Sequence, residues 1–338
     1  MGFLDWLLGK GGEVCDGDPR LAGAVARVID ATDPRLRLLD GVQERLCPAV
    51  TRALAYADQV AAALPPCVDT TPDNWSASPV LRAFFVRPVD VAAALRDSHD
   101  LQDFLASPAG SALDRVCCVV AATRSEQTVL GTALDGDIVR HDVEQKTVSF
   151  RHFRLFGFAA TEEALRQRIA DTVLEGLVIA ALREINRRQQ QGDRLAFAQR
   201  VLSGRLELME KSRAGLDALE CGSWKGRDIE RLRDSLAANA AELAAHHSAG
   251  SGLDATLEGV IRTLEAADAV IRAEKLSLSL DAMNIVVPPE SPDASIVPLL
   301  EFSTATPGSS RRVAFLASVP RHAVAERKLD LAAGMLLL

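Results

Sequence analysis

The chain has 338 residues, enough for two domains, and 48% of them are hydrophobic, so it can bury a sizeable core. The formal net charge of −8 argues against nucleic acid as the main partner, because binding to a phosphate backbone needs a basic surface. The composition is rich in alanine, leucine and arginine, which gives the impression of a bacterial protein.

Residues 1–18 form an apolar segment and a flexible, glycine-containing linker. Phe3, Trp6 and Leu7 supply its large apolar side chains, and we expect them to pack on the chain itself or on a partner subunit. Contact with a membrane surface is the alternative, since tryptophan and phenylalanine suit that boundary. We find no secretory signal and no run of roughly 18 uncharged apolar residues, so a cytoplasmic protein is expected.

Residues 19–110 are predicted to be a helical region with a linker at 65–78, where prolines and small polar residues cluster. Apolar residues recur at three- and four-residue steps from Leu36 to Leu46, which is the spacing of one helix face. Asp33-Pro34 favours a helix start, because aspartate caps the free N–H groups and proline suits the first helical position.

Residues 111–338 are predicted to be an α+β region that opens with a β-meander at 115–158. We predict four strands, with turns near 123–127, at Asp135-Gly136 and at 144–146. Connections this short require antiparallel neighbours, because a parallel partner needs a crossover of a dozen or more residues.

Helices are predicted over 161–272, and strands follow at 275–319. Thr161 is a good helix start, and Gly192 allows a turn between the first two helices of this region. Together these patterns predict a mostly helical α+β fold with an antiparallel four-stranded meander and a second, small C-terminal β region. The order of strands, helices and strands allows both groups to join one sheet.

His141, Asp142 and His152 are candidate metal ligands, because imidazole and carboxylate groups suit zinc or iron. We expect them on neighbouring strands, where their side chains can converge. Their spacing is not diagnostic, and solvated strand residues are the simpler interpretation. The six cysteines include no C-x-x-C pair and are interpreted as small buried residues of a reducing compartment.

No phosphate-loop, dinucleotide-binding, nucleophile-elbow or H-E-x-x-H pattern occurs in the sequence. No cofactor is therefore predicted. The leading hypothesis is a non-enzymatic interaction or scaffold protein with helical hairpins, whose partner is another protein or a second copy of the chain.

Two alternatives stay open at this stage. One is an enzyme with a pocket, metal-assisted or not, between the meander and the helix that starts at Thr161, using His141 and His152. The other is a peripheral membrane protein anchored through Phe3, Trp6 and Leu7.

Overall fold

A computed structural model describes residues 18–135, 138–216, 223–248, 252–304 and 311–324. The segment that contains Phe3, Trp6 and Leu7 lies outside these ranges, as do Gly136 and the apolar C-terminal residues 331–338. The predicted packing or membrane contact of Phe3, Trp6 and Leu7 therefore stays a prediction.

The predicted α+β class is confirmed, since helices predominate and the strands form an antiparallel sheet. The chain divides into two compact units, residues 1–53 with 176–266 and residues 54–175 with 267–338. Both units combine distant parts of the sequence, and the predicted division at residues 18 and 110 stays a prediction.

Unit 1 is helical where it is described. Helix α1 (Pro19–Thr32) begins where the Asp18 carboxylate accepts a hydrogen bond from the Arg20 backbone N–H. The remaining elements of this unit are a 3₁₀ turn (Pro34–Leu38), the start of α2 (Val42–Ala63), the later part of α6 (Glu162–Leu216), α7 (Ser223–Ser248) and α8 (Leu253–Glu265).

Ion pairs within unit 1 join α2 to α8. Arg45 Nη1 lies 2.8 Å from the Asp254 carboxylate, and Arg52 Nη1 lies 3.0 Å from that of Glu265. All four side chains are exposed to solvent, so these pairs contribute little energy and mainly specify which residues face each other.

Unit 2 is built on one sheet. Its helices are the end of α2, α3 (Pro79–Phe84), α4 (Pro88–Arg96), α5 (His99–Ala106), the start of α6 and α9 (Ala267–Val270). Its strands are β1 (Val68–Asp69), β2 (Arg115–Asp135), β3 (Ile138–Ala159), β4 (Ile271–Leu280), β5 (Ser295–Thr304) and β6 (Arg312–Pro320).

The strand order is β3-β2-β6-β5-β4, with antiparallel pairing throughout, while β1 pairs with β6 in parallel. The two predicted strand groups therefore share one sheet. The junction is the pairing of β2 with β6, which runs from Arg115 opposite Pro320 to Thr123 opposite Arg312.

The meander differs from the prediction, because it contains two long strands where four were expected. The two expected turns at 123–127 and 144–146 are paired strand, with Thr128 opposite Lys146 and Val129 opposite Gln145. This outer part of the β2–β3 ribbon is solvent-exposed, so polar residues can continue the strands without being buried.

Alternation along β2 creates two cores on opposite faces of the sheet. Cys118, Val120 and Ala122 join one core with α3 to α5, where the rings of Phe84 and Phe150 stack at 4.1 Å. On the other face, the alternate residues of β2 pack against the end of α2 and the start of α6. The continuously apolar stretch of β2 is therefore covered on both sides, as its sequence predicts.

Candidate interaction surface and polar cavity

Within unit 1, α6 and α7 form a long helical hairpin. Asn239 Nδ2 on α7 donates hydrogen bonds to the Leu195 carbonyl at 3.1 Å and to Gln199 Oε1 at 2.8 Å on α6. Nearer the tip, Arg233 Nη2 lies 2.7 Å from the Glu210 carboxylate. These contacts mark the side of α6 that faces α7.

The opposite side of α6 carries an exposed apolar row. Phe197, Val201 and Leu208 are 62%, 50% and 67% exposed, and Gly204 lies between them with open space around its Cα. At about 100° per residue, the four positions fall within one narrow face, roughly half a turn from the α7 contacts. We call Phe197, Val201, Gly204 and Leu208 the α6 stripe.

Charged residues frame this stripe. Arg200 and Glu207 lie on the same side of it, and both are exposed. Glu207 pairs along the helix with Lys211 at 4.0 Å. An apolar row edged by opposite charges is the pattern of a helix that packs against another helix.

Unit 1 also contains a polar cavity of about 490 Å³. Side chains of Arg35, Glu184, Arg188 and His246 line it, and the first turn of α8 closes one wall. Gly252 precedes α8 and has no side chain to cap the N–H groups of that turn.

Two of the charged groups that line this cavity are paired with neighbouring side chains. Arg35 forms hydrogen bonds with Asp33 through Nε and Nη2, and this contact lowers the pKa of Asp33. Hydrogen bonds from Arg187 likewise lower the pKa of Glu184. The charges of Arg35 and Glu184 are therefore compensated by Asp33 and Arg187.

His246 is positioned by α6. Its Nε2 lies 3.0 Å from the Arg188 carbonyl oxygen, and its ring lies against Gly192. Its Nδ1 is buried and has no hydrogen-bond partner in the described part of the chain. The histidine thus ties the base of α7 to α6, which is a structural use of the side chain.

A second cavity, of about 460 Å³, belongs to unit 2. Trp75, Pro79, Val86 and Met283 give it apolar walls, and Trp75 Nε1 donates a hydrogen bond to the Phe85 carbonyl at 3.0 Å. Arg82 and Asp281 supply polar groups at its edge.

The structure does not bring His141, Asp142 and His152 together. All three lie on β3 rather than on neighbouring strands, and the two histidines are separated by roughly 35 Å along it. Asp142 and His152 have positive φ angles of 60° and 54°, next to register shifts in the β2–β3 pairing, and all three side chains are exposed. Over the described ranges, no group of three metal-ligating residues is found.

The predicted enzyme pocket between the meander and the start of α6 is occupied by packed core. Leu165 and Ile169 of α6 are buried in the same cluster as Val119 and Ala121 of β2. The two histidines that the enzyme alternative uses lie elsewhere on β3 and are exposed to solvent, and the enzyme alternative itself stays a prediction.

Two neighbouring thiols, Cys67 and Cys117, lie at this packed face. Burial raises the pKa of both, and the carboxylate of Glu162 raises them further, so they are protonated at neutral pH and are poor nucleophiles. Burial also raises the pKa of Cys118, to about 12. Cys47 differs from the expected unpaired cysteines because it is disulfide-bonded.

Glu162 forms a structural contact beside these thiols. Partial burial would raise its pKa, but hydrogen bonds from the Arg166 guanidinium and the Cys67 N–H lower it overall. Arg166 also donates to the carbonyl oxygens of Leu64 and Pro65. This arginine therefore joins the C-terminal end of α2 to α6 within unit 2.

Across the described part of the chain, no helix has the length and apolar character needed to cross a membrane. Comparison with known proteins finds no matching family model, no matching curated protein and no matching solved structure. The functional argument therefore depends on the geometry of the molecule.

Sequence patterns alone did not reveal the α6 stripe. Periodicity along this helix does not show that Leu195 lies on the α7 side and Val201 on the opposite side. A signal is present in the spacing from Phe197 to Leu208, whose steps of four, three and four residues match about one and a half heptads.

Proposed function

We propose that this protein is a non-enzymatic interaction or scaffold protein that self-associates through the α6 stripe. The observation that carries the proposal is the row of exposed apolar side chains of Phe197, Val201 and Leu208 on the outer face of the hairpin. Burying a side chain of this size contributes about 1.5–3 kcal/mol, so a partner helix that covers the row gains substantial free energy.

The hairpin supports such a role because its two helices hold each other through contacts on the opposite face of α6. The stripe is therefore displayed on a preformed helix, and little conformational entropy is lost when a partner binds. A regular helix also presents its apolar residues in the spacing that a second helix can match.

The test is the mass of the intact chain by size-exclusion chromatography with light scattering. We expect the unmodified chain to be a dimer and Phe197→Glu to be a monomer, because a charge cannot be buried in an apolar contact without a partner. Val89→Glu is the matched control, since Val89 is 60% exposed but belongs to α4 of unit 2 and is not part of the stripe.

Circular dichroism shows whether each variant keeps its helices. The proposal fails if the unmodified chain is a monomer at its highest soluble concentration. It also fails if Phe197→Glu and Val89→Glu shift the mass equally.

A further inference from the structure

We propose that the second copy binds antiparallel, with Phe197 packing against the partner's Leu208 and Val201 against the partner's Gly204. This inference rests on the proposed self-association and specifies its geometry. The stripe is symmetrical about the midpoint between Leu202 and Ser203, so one two-fold axis satisfies all four contacts at once.

The sizes of the stripe residues favour this orientation. Antiparallel packing places Val201 opposite the partner's Gly204, where a missing side chain leaves open space. Parallel packing would put Gly204 opposite the partner's Gly204 and leave a gap between the helices, whereas Phe197 would meet the partner's Phe197. A helix interface is filled better when large residues face small ones than when residues of the same size face each other.

The charged residues beside the α6 stripe also favour the antiparallel orientation. In heptad terms Arg200 and Glu207 occupy equivalent flanking positions, and antiparallel packing brings Arg200 next to the partner's Glu207 on both sides of the axis. Parallel packing would instead bring Arg200 next to the partner's Arg205, a repulsive contact.

The residues that follow the stripe at each end of the same helix face limit the length of the apolar contact. Arg194 and Lys211 are both exposed cations, and antiparallel packing places Arg194 opposite the partner's Lys211. The apolar contact therefore extends over residues 197–208, about 18 Å of helix. We expect a weak, reversible dimer whose affinity responds strongly to these flanking charges.

The experiment measures dimer dissociation constants by sedimentation equilibrium for the intact chain and three variants. Arg200→Glu should weaken the dimer about tenfold, because two attractive contacts become repulsive. The double variant Arg200→Glu with Glu207→Arg should restore the original affinity. Lys211→Glu should tighten the dimer several-fold, because Arg194 then faces a carboxylate.

A parallel dimer gives the opposite result for one variant. Arg200→Glu would then tighten association by pairing with the partner's Arg205, and Lys211→Glu would leave like charges facing each other. Tightening by Arg200→Glu, or failure of the double variant to restore affinity, overturns the antiparallel arrangement. Misfolding does not explain a gain in affinity, so Lys211→Glu separates orientation from damage to the hairpin.

Failure of the orientation and failure of the proposed function are distinguishable. If Phe197→Glu abolishes the dimer and the charge variants do not follow the antiparallel pattern, self-association through the α6 stripe is supported and the antiparallel orientation is wrong. If Phe197→Glu leaves the dimer intact, or if the unmodified chain does not dimerise, both proposals fall.

Discussion

A buried ion pair shows how single residues stabilise the sheet of unit 2. Arg124 on β2 donates hydrogen bonds from Nε and Nη2 to one carboxylate oxygen of Glu301 on β5, at 3.0 and 2.7 Å. The two side chains are only 6% and 16% exposed. β6 lies between these strands, so the pair spans three neighbours of the sheet. Two charges at this depth are tolerated because each compensates the other.

We expect Glu301→Ala to lower the free energy of unfolding by about 3 kcal/mol, because Arg124 would keep its burial and lose its main partner. Glu126 also contacts Arg124, but that carboxylate is largely solvated. Urea unfolding provides the measurement. Glu274→Ala is the matched control, since its pair with Arg272 on β4 is exposed and should be worth under about 1 kcal/mol. Equal losses in the two variants would show that burial does not set the cost.

At the scale of elements, α6 is continuous where the sequence predicted two helices. Gly192 indicated a turn, but it lies inside the helix that runs from Glu162 to Leu216. Tertiary packing explains the glycine at this position. A Cβ at residue 192 would lie 2.9 Å from Cε1 of the His246 ring, so a larger side chain would collide with it. Glycine is needed here for close packing of α7, and not for a reversal of the chain.

We therefore expect alanine substitutions at two glycines of α6 to change the stability of the protein in opposite directions. Gly204→Ala should stabilise the helix by up to about 1 kcal/mol, because alanine has the higher helix propensity and its Cβ meets open space. Gly192→Ala should lose this gain and destabilise the hairpin, because His246 must move away from the Arg188 carbonyl. Thermal unfolding followed by circular dichroism compares the two. Equal stabilisation by both substitutions would contradict the close packing.

At the scale of the whole molecule, both compact units are discontinuous in sequence. Helices α2 and α6 each contribute residues to unit 1 and to unit 2, so neither unit corresponds to one uninterrupted stretch of chain. Composition alone places boundaries at linkers, and a boundary inside a helix carries no linker signal. The predicted boundaries followed the proline-rich and glycine-rich segments for that reason.

Self-association makes the stability of the whole molecule depend on its concentration. A dimer that dissociates on unfolding gains stability by mass action, and Tm should rise by about 1–2 °C for each tenfold increase in concentration. Phe197→Glu should remove this dependence. Scanning calorimetry over two decades of concentration is the measurement, and an unchanged Tm of the native chain would argue against a dimer that is coupled to folding.

The sequence by itself determined the local elements. The unbroken apolar stretch of β2 indicates a strand covered on both faces, and Asp33-Pro34 marks the start of a short helical turn. These features depend on neighbouring residues, so they can be recognised without knowing the fold. The α+β class followed from their order along the chain.

Tertiary structure alone decided which residues meet. The register of β3 placed His141 and His152 far apart on one strand, and the packing of α7 on α6 left Phe197, Val201 and Leu208 on the outer face. Helix periodicity shows that apolar residues share a face, but it does not show whether a neighbour covers that face. Burial depends on contacts between distant parts of the chain, and these contacts leave no local pattern in the sequence.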